Sequence, residues 1–221
     1  TAIGASKKLA LSFRRMREVP ADGIVVVPPL LRKEVLEMTP TKGDYLHGYL
    51  LNSGFGEEIC SWHKVHPSVE LHIFWDKKEV LPEVKVDSRL SFHQLNDTLF
   101  VRYMAGARAY ATTAGFESVC EAMYLGKPVL MVPTHIEQAC NAFDAVHAGA
   151  GVIADRFDLD ALLQLSQTHH QPDLAFSHWV KQADWLILRE LRPDLLMEET
   201  SASLWHRLST RWYRFGKSLS I

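Results

Sequence analysis

The sequence has only three cysteines, Cys60, Cys120 and Cys140, and no two of them stand in a C-x-x-C spacing. A disulfide framework and the usual zinc knuckle are therefore excluded, and a reducing, cytoplasmic setting is expected. Charge of either sign is also not in excess: 24 Lys and Arg against 26 Asp and Glu leave a formal net charge of −2. No nucleic acid partner is expected from such a balance, and any anion has to be held by a local arrangement rather than by a basic field. Long hydrophobic runs are missing too. The stretch "GIVVVPPLL" is short and interrupted by proline, so no segment is expected to span a bilayer and no secretory leader is recognisable. Internal repeats and low-complexity tracts are absent. Apolar residues are plentiful, at 47% of 221 residues, which is ample for one large core. A chain that starts at Thr1 without methionine is expected to be part of something longer.

Residues 1–19 read as an amphipathic helix ending in the basic run "FRRMRE", and "IVVVPPLLR" after Gly23 as an extended connector. From there strand and helix patterns alternate. Strands are expected at "DYLHGYLL", "VELHIFW", "LSFHQLN", "RAYATTA", "KPVLMVP" and "GVIA", and helices at "EEICSWHKV", "DTLFVRYMAGA", "FESVCEAMYLG" and "EQACNAFDAVHAG", with a polar loop at "KKEVLPEVKVDS". Alternation of this kind predicts right-handed crossovers and an α/β fold: a Rossmann-like, doubly wound parallel sheet over roughly residues 44–170, with ligands at the carboxyl ends of its strands. From about residue 172 the pattern is helical only, in "LAFSHWVKQADWLILREL" and "SASLWHRLSTRWYRFGK".

A first glycine motif, Gly54-Phe55-Gly56-Glu57-Glu58-Ile59, lies between a strand and a helix, and Asp76 ends the next strand 20 residues beyond Gly56. This imitates a dinucleotide-binding fingerprint. Ile59 stands where a small residue would let helix and strand pack closely, and Glu57 and Glu58 would face a pyrophosphate at the helix start. The alternatives are a plain tight turn, or a glycine loop whose backbone approaches the phosphates of another ligand.

A second motif is "TTAGFESVCEA", residues 112–122. Ala114 and Gly115 allow close approach of the backbone to a ligand, and a helix starting near Phe116 would aim its free N–H groups at an anion. Ser118 adds a hydroxyl donor at that mouth. Glu121, one turn further on, could accept from the vicinal hydroxyls of a ribose. Taken alone, Ser118-x-x-Glu121 is equally a capping box serving only the helix start.

The continuation through "MYLGKPVLMVPTHIEQACNA" extends the pattern. Residues 112–142 resemble the donor-binding signature of the UDP-glycosyltransferases of the GT-B fold, with Gly115, Ser118, Glu121, Ala122, Gly126, Pro128, Pro133, Glu137, Gln138, Asn141 and Ala142 at matching positions. The resemblance implies that Gly115, Phe116 and Ser118 hold a donor diphosphate at the helix start and that Glu121 binds the ribose. It also implies that Glu137 and Gln138 reach the transferred sugar. Ser91-Phe92-His93 would occupy the place where the family clasps the base, and Gly54 would approach the phosphates. Two residues depart from the pattern: Thr113 stands for the family's histidine and Glu117 for its asparagine. Thr113 can hydrogen-bond a phosphate but brings no positive charge, and the carboxylate of Glu117 would repel one, so Glu117 is expected to face the ribose or the sugar, or to complement the helix dipole.

In the retaining branch of the fold a second glutamate precedes the ribose glutamate by eight residues; Thr113 is there instead, so the resemblance favours an inverting transferase. In that branch the base comes from the other domain, and the helix start stabilises the departing nucleoside diphosphate. The implied enzyme is a hexosyltransferase that takes a UDP-sugar and needs no metal or cofactor. Residues 1–22 are then expected to be a linker or the end of an N-terminal domain that carries the catalytic base. Residues 23–172 would be the nucleotide-sugar-binding domain and 173–221 helices packed on it or on the N-terminal domain. Such a half alone should bind its donor and turn it over poorly. The same fold also hosts nucleotide-sugar epimerases, and a non-enzymatic nucleotide-sugar or NAD-binding domain is the third alternative.

Eleven histidines invite a metal hypothesis, but His63 and His66 have no third ligand nearby and His169-His170 lie in a polar loop. The C-terminal stretch alternates Trp205, Trp212, Tyr213 and Phe215 with Arg207, Arg211, Arg214 and Lys217. It is expected to pack on the other domain, with a peripheral contact to the inner face of a membrane as the alternative.

Overall fold

The computed structural model describes residue 5 and residues 7–16, 23–51, 54–77, 81–168 and 174–192. Its centre is a seven-stranded sheet in the order β5-β6-β4-β3-β7-β8-β9. These strands are β3 (Tyr45–Leu50), β4 (Glu70–Trp75), β5 (Glu83–Lys85), β6 (Leu90–Gln94), β7 (Ala109–Thr112), β8 (Val129–Met131) and β9 (Gly151–Ile153). All neighbours are parallel except β5, which runs antiparallel along β6 at the edge. The expected "polar loop" thus contains a strand, and its short, charge-flanked sequence suits an edge position.

Helices α2 (Phe55–Val65), α3 (Asp97–Gly106), α4 (Phe116–Tyr124) and α5 (Ile136–His147) lie in the crossovers, and α6 (Leu159–Thr168) follows β9 and packs back on the sheet. The sheet is buried on both faces, so its strands alternate two apolar sets rather than apolar with polar. Leu71, Ile73 and Trp75 of β4 join Leu46, Leu50, Ile59, Phe92 and Leu162 on the side of α2 and α6. Phe74 joins Phe100, Met104, Tyr110, Val119 and Met131 on the side of α3 and α4. The chain builds β3, β4 and β6 outward in one direction and then returns to place β7 on the other side of β3. A crevice therefore opens between β3 and β7 at their carboxyl ends, where doubly wound sheets receive ligands.

Two further strands, β1 (Lys8–Leu11) and β2 (Ile24–Val27), form a separate parallel pair. The helix expected over residues 1–19 is not formed at this strand: pairing with the β-branched run of β2 overrides the helix propensity of "KKLAL". Beyond β1, Phe13 is buried in the main core, Arg14 Nε donates to Asp144 at 3.1 Å, and Trp179 Nε1 donates to the Ser12 carbonyl at 3.1 Å. The helical stretch after residue 172 breaks near Gln182 into α7 (Leu174–Val180) and α8 (Ala183–Leu191). Both helices contribute to the α4 side of the core through Phe176, Trp179, Leu186 and Ile187. The "SASLWHRLSTRWYRFGK" stretch and His169-His170 lie outside the described residues.

A short helix, α1 (Lys33–Glu37), also unanticipated, follows the buried Pro28 and Pro29 and is anchored by Val35, which is fully buried. Proline restricts its own backbone and that of the residue before it. The run from β2 is thereby held extended, and it delivers Arg32, with φ −65° and ψ 148°, to the start of α1.

Candidate functional site

Four strand ends converge on one cleft. Tyr49 comes from β3, Leu95 from just after β6, Gly115, Phe116, Glu117 and Ser118 from the turn after β7 and the start of α4, and Glu137 from the start of α5. Asp97 and Phe100 of α3 and Arg32 complete a cavity of about 500 Å3. A second cavity of about 440 Å3 adjoins it and is lined by Leu30, Leu31, Arg32, Asp97, Glu117 and Glu121.

The turn into α4 holds one residue in the left-handed region. Ala114 is buried at φ 64°, the one non-glycine residue with positive φ among the described residues. An L-residue in that conformation is held there only by its surroundings. Gly115 follows as the residue preceding the helix, at φ −63° and ψ 131°. Its conformation is open to any residue, and a Cβ added there would meet only Ser118 Oγ at 3.6 Å. Neither backbone nor packing demands glycine at 115, so what its missing side chain leaves open is the cleft itself. The N–H groups of the first turn of α4 have no partner within the helix and point the same way.

Ser118 lies in the first turn of α4 and donates from Oγ to the Gly115 carbonyl at 3.2 Å. It does not precede the helix, and Glu121 does not reach back to it, so the capping-box alternative is overturned. Glu121 is 3% exposed, and both of its carboxylate oxygens are taken by Arg32: Nε donates to Oε1 at 2.5 Å and Nη2 to Oε2 at 3.2 Å. Burial pushes the Glu121 carboxyl above the usual carboxylate range, and the Arg32 guanidinium pulls it part of the way back. The residue expected to bind ribose is thus engaged by an arginine that nothing in the sequence pattern singled out.

Other expected site residues divide between the cleft and the core. Gly115, Phe116, Glu117, Ser118 and Glu137 line the cavity. Gln138 does not: it is buried, and its Oε1 accepts from the backbone N–H and the hydroxyl of Thr134, each at 2.8 Å. Thr113 is buried at 2% exposure beneath the turn. Phe92 and His93, expected at the base, lie in the cores instead of the cleft. Phe92 stacks on Trp75 at 4.4 Å inside the α2 side of the core, and His93 lies buried on the other face, in contact with His72 Nδ1 at 3.1 Å. Burial also pushes the His93 imidazole below its usual range, with the neighbouring His72 adding to it. A strand's interior residues face the two cores, and the residue that emerges at the carboxyl end of β6 is Leu95, 47% exposed.

Gly54 stands at the start of α2 and lines neither cavity. Gly56 packs α2 onto the sheet, since a Cβ there would lie 3.5 Å from Trp75 and 3.7 Å from Phe92. The first glycine motif therefore serves helix-to-sheet packing at its second glycine. His63 is bonded to Asp87 at 2.9 Å and His66 to the Trp62 carbonyl at 3.1 Å. Among the described residues, no group of three or more His, Cys, Asp or Glu is arranged to hold a metal ion, and no helix is long and apolar enough to cross a membrane.

Tyr49, Leu95, Asp97 and Phe100 are site residues that the motifs did not mark. Tyr49 and Leu95 were accessible to the rule that ligands sit at strand carboxyl ends, and Asp97 opens a helix that its Asn96 cap, accepting from Leu99 N–H at 2.9 Å, places at the same edge.

A doubly wound, mostly parallel sheet, with a glycine turn and helix start facing a crevice at its switch point, has the architecture of one half of a GT-B glycosyltransferase fold. Residues 4–167 match the family described as glycosyl transferase family 1, and the chain belongs to that family. A putative UDP-glucuronosyltransferase, ugt-48 of Caenorhabditis elegans, is 36% identical over 52 residues, 24% of this chain and 10% of that protein. Among solved structures, the glycotransferase of kitacinnamycin superposes with a TM-score of 0.56 at 16% identity, covering 80% of this chain and 49% of the other. The spinosyn forosaminyltransferase SpnP gives 0.55 at 15%, over 87% and 56%. The calicheamicin glycosyltransferase CalG4 gives 0.53 at 18%, over 78% and 50%. The chain thus spans about half the length of these structures, and at such identities the likeness is one of fold.

Proposed function

We propose that this chain is the donor-binding half of an inverting glycosyltransferase that takes a nucleoside diphosphate sugar, of the UDP-sugar class, and passes the sugar to an acceptor held by an N-terminal domain. The carrying observation is the cleft at the β3–β7 switch point, where the Gly115 turn and the start of α4 face a cavity of about 500 Å3. In this reading the diphosphate lies against the open N–H groups of α4, with the Ser118 hydroxyl beside it, and the sugar extends toward Glu137. As the bond to the anomeric carbon breaks, negative charge grows on the departing diphosphate, and fixed dipoles already aimed at that place stabilise it without reorganising. The base that deprotonates the acceptor belongs to the N-terminal domain. The transfer we propose uses no metal and takes place in the cytoplasm, with the acceptor drawn from solution or from a membrane surface.

The test uses the full-length protein with a panel of UDP-, dTDP- and GDP-sugars and candidate acceptors. Acceptor-dependent release of nucleoside diphosphate, with inversion at the anomeric carbon seen by NMR, is expected. Conversion of the nucleotide sugar without any acceptor would contradict transfer and support epimerisation.

A further inference from the structure

Among the described residues the two adjoining cavities are lined by four carboxylates and one cation. Asp97, Glu117 and Glu137 line the main cavity, Glu121 lines its neighbour, and among the described residues lining either cavity Arg32 alone carries a positive charge. Its guanidinium pairs with Glu121 and, more loosely, with Asp97, and these two pairs do not use up its donors. Nε and Nη2 serve Glu121, while Nη1 stands 3.8 Å from Asp97 Oδ1, beyond hydrogen-bond distance. A guanidinium has five N–H donors in a rigid fork, and the side chain of Arg32 remains 32% exposed where that of Glu121 is 3% exposed. Arg32 thus has one edge anchored to a buried carboxylate and another edge open to the cavity that the start of α4 faces.

We propose that Arg32 is the diphosphate-binding cation of this site, and that Glu121 is its positioning residue. The inference rests on the donor-site reading above and deepens it. Among Asp97, Glu117 and Glu137 a dianionic diphosphate meets like charges that the helix N–H groups must offset, and planar, forked recognition of phosphate oxygens is what a preoriented arginine offers. The histidine that the related signature carries is Thr113 here, buried and uncharged; Arg32 supplies the missing positive charge from the segment before α1. Glu121, with both oxygens engaged and almost no exposed surface, holds the fork in place rather than facing the ribose.

The inference is tested by calorimetry or ligand-observed NMR on the full-length protein, comparing uridine, UMP and UDP, and the thymidine series beside them. Arg32→Gln is expected to weaken diphosphate binding roughly 10- to 100-fold, the scale of hydrogen bonds to a charged group, while leaving the nucleoside alone unchanged. Arg32→Lys should keep part of the phosphate-specific affinity and its salt dependence. The double variant Arg32→Gln/Glu121→Gln leaves no unpaired buried charge, and it should fold as the wild type does and show the same phosphate-specific loss. Equal losses for nucleoside and diphosphate, or unaltered diphosphate binding in the double variant, would overturn the role of Arg32. Failure of the wild-type protein to bind any nucleoside diphosphate would instead overturn the donor-site reading itself.

Discussion

Asn141 donates from Nδ2 to the carbonyl oxygen of Ala114 at 3.3 Å, so a side chain of α5 holds the carbonyl of the one left-handed non-glycine residue in the turn before α4. The two ends of the signature over residues 112–142 are therefore a single object in space. The EQ-x-x-N-A segment supports the geometry of the glycine turn 27 residues earlier. Asn141→Ala should cost about 1 kcal/mol of stability for the lost hydrogen bond. It should also loosen the turn, read as faster amide exchange at Gly115 and Phe116. Unchanged exchange at those amides would show that the turn holds its shape by itself.

Gly115→Ala separates ligand space from fold. The backbone conformation at 115 is ordinary and the nearest atom to a new Cβ is 3.6 Å away, so stability should change by no more than about 1 kcal/mol. Nucleoside diphosphate affinity should fall roughly tenfold or more if the methyl group displaces a phosphate oxygen from the helix start. Titration by calorimetry beside a chemical denaturation curve gives both numbers.

Glu121 makes stability depend on pH in a stated direction. Burial raises its folded-state pKa above the ordinary 4.5. The native state therefore binds this proton more tightly than the unfolded chain does. Its contribution is full below pH 4.5 and is lost as pH rises through the folded-state value. Denaturation curves of Glu121→Gln should lack this component and vary less with pH between 4.5 and the raised folded-state value. Removing the guanidinium in Arg32→Gln should move the Glu121 titration further up, seen in the carboxyl 13C shift. It should cost about 3 kcal/mol near neutrality, where the buried carboxylate is left unpaired, and less in acid.

Leu95 and Phe92 offer a contrast at the carboxyl end of β6. Phe92→Ala empties a stacked position in the core and should cost about 3–5 kcal/mol. Leu95→Asp replaces an exposed side chain that lines the cavity; it should change stability by about 1 kcal/mol or less and weaken binding of nucleoside and nucleotide alike. Paired melting and binding curves check this, and a binding defect confined to Phe92→Ala would reverse the assignment.

The alternation of apolar runs made the sheet legible, because strands buried on both faces must be apolar almost throughout, as Leu71 to Trp75 are. Small elements escaped. The strand Lys8–Leu11 has helix-favouring residues and owes its state to pairing with Ile24–Val27, a contact no local pattern encodes. Gly115, Ser118 and Glu137 all line the cavity; the first two stood out by the chemistry of a glycine turn at a helix start, and Glu137 only through the resemblance of residues 112–142. Arg32 was not, since its meaning depends on a partner 89 residues away. Phe92 and His93 misled for the reverse reason: the right strand was identified, but alternation along it turns both side chains into the cores and leaves the cleft to Leu95.

The central claim is that the start of α4 receives the diphosphate of a nucleotide sugar. Backbone amide NMR of the isotope-labelled protein, titrated separately with UDP, dTDP, GDP and NAD, tests it most directly. Saturable shifts at Gly115, Phe116, Glu117 and Ser118 with a nucleoside diphosphate, and none there with NAD, are the expected result. Binding of NAD alone, with shifts centred on Gly54 and Gly56, would contradict the claim and return the first glycine motif to a dinucleotide.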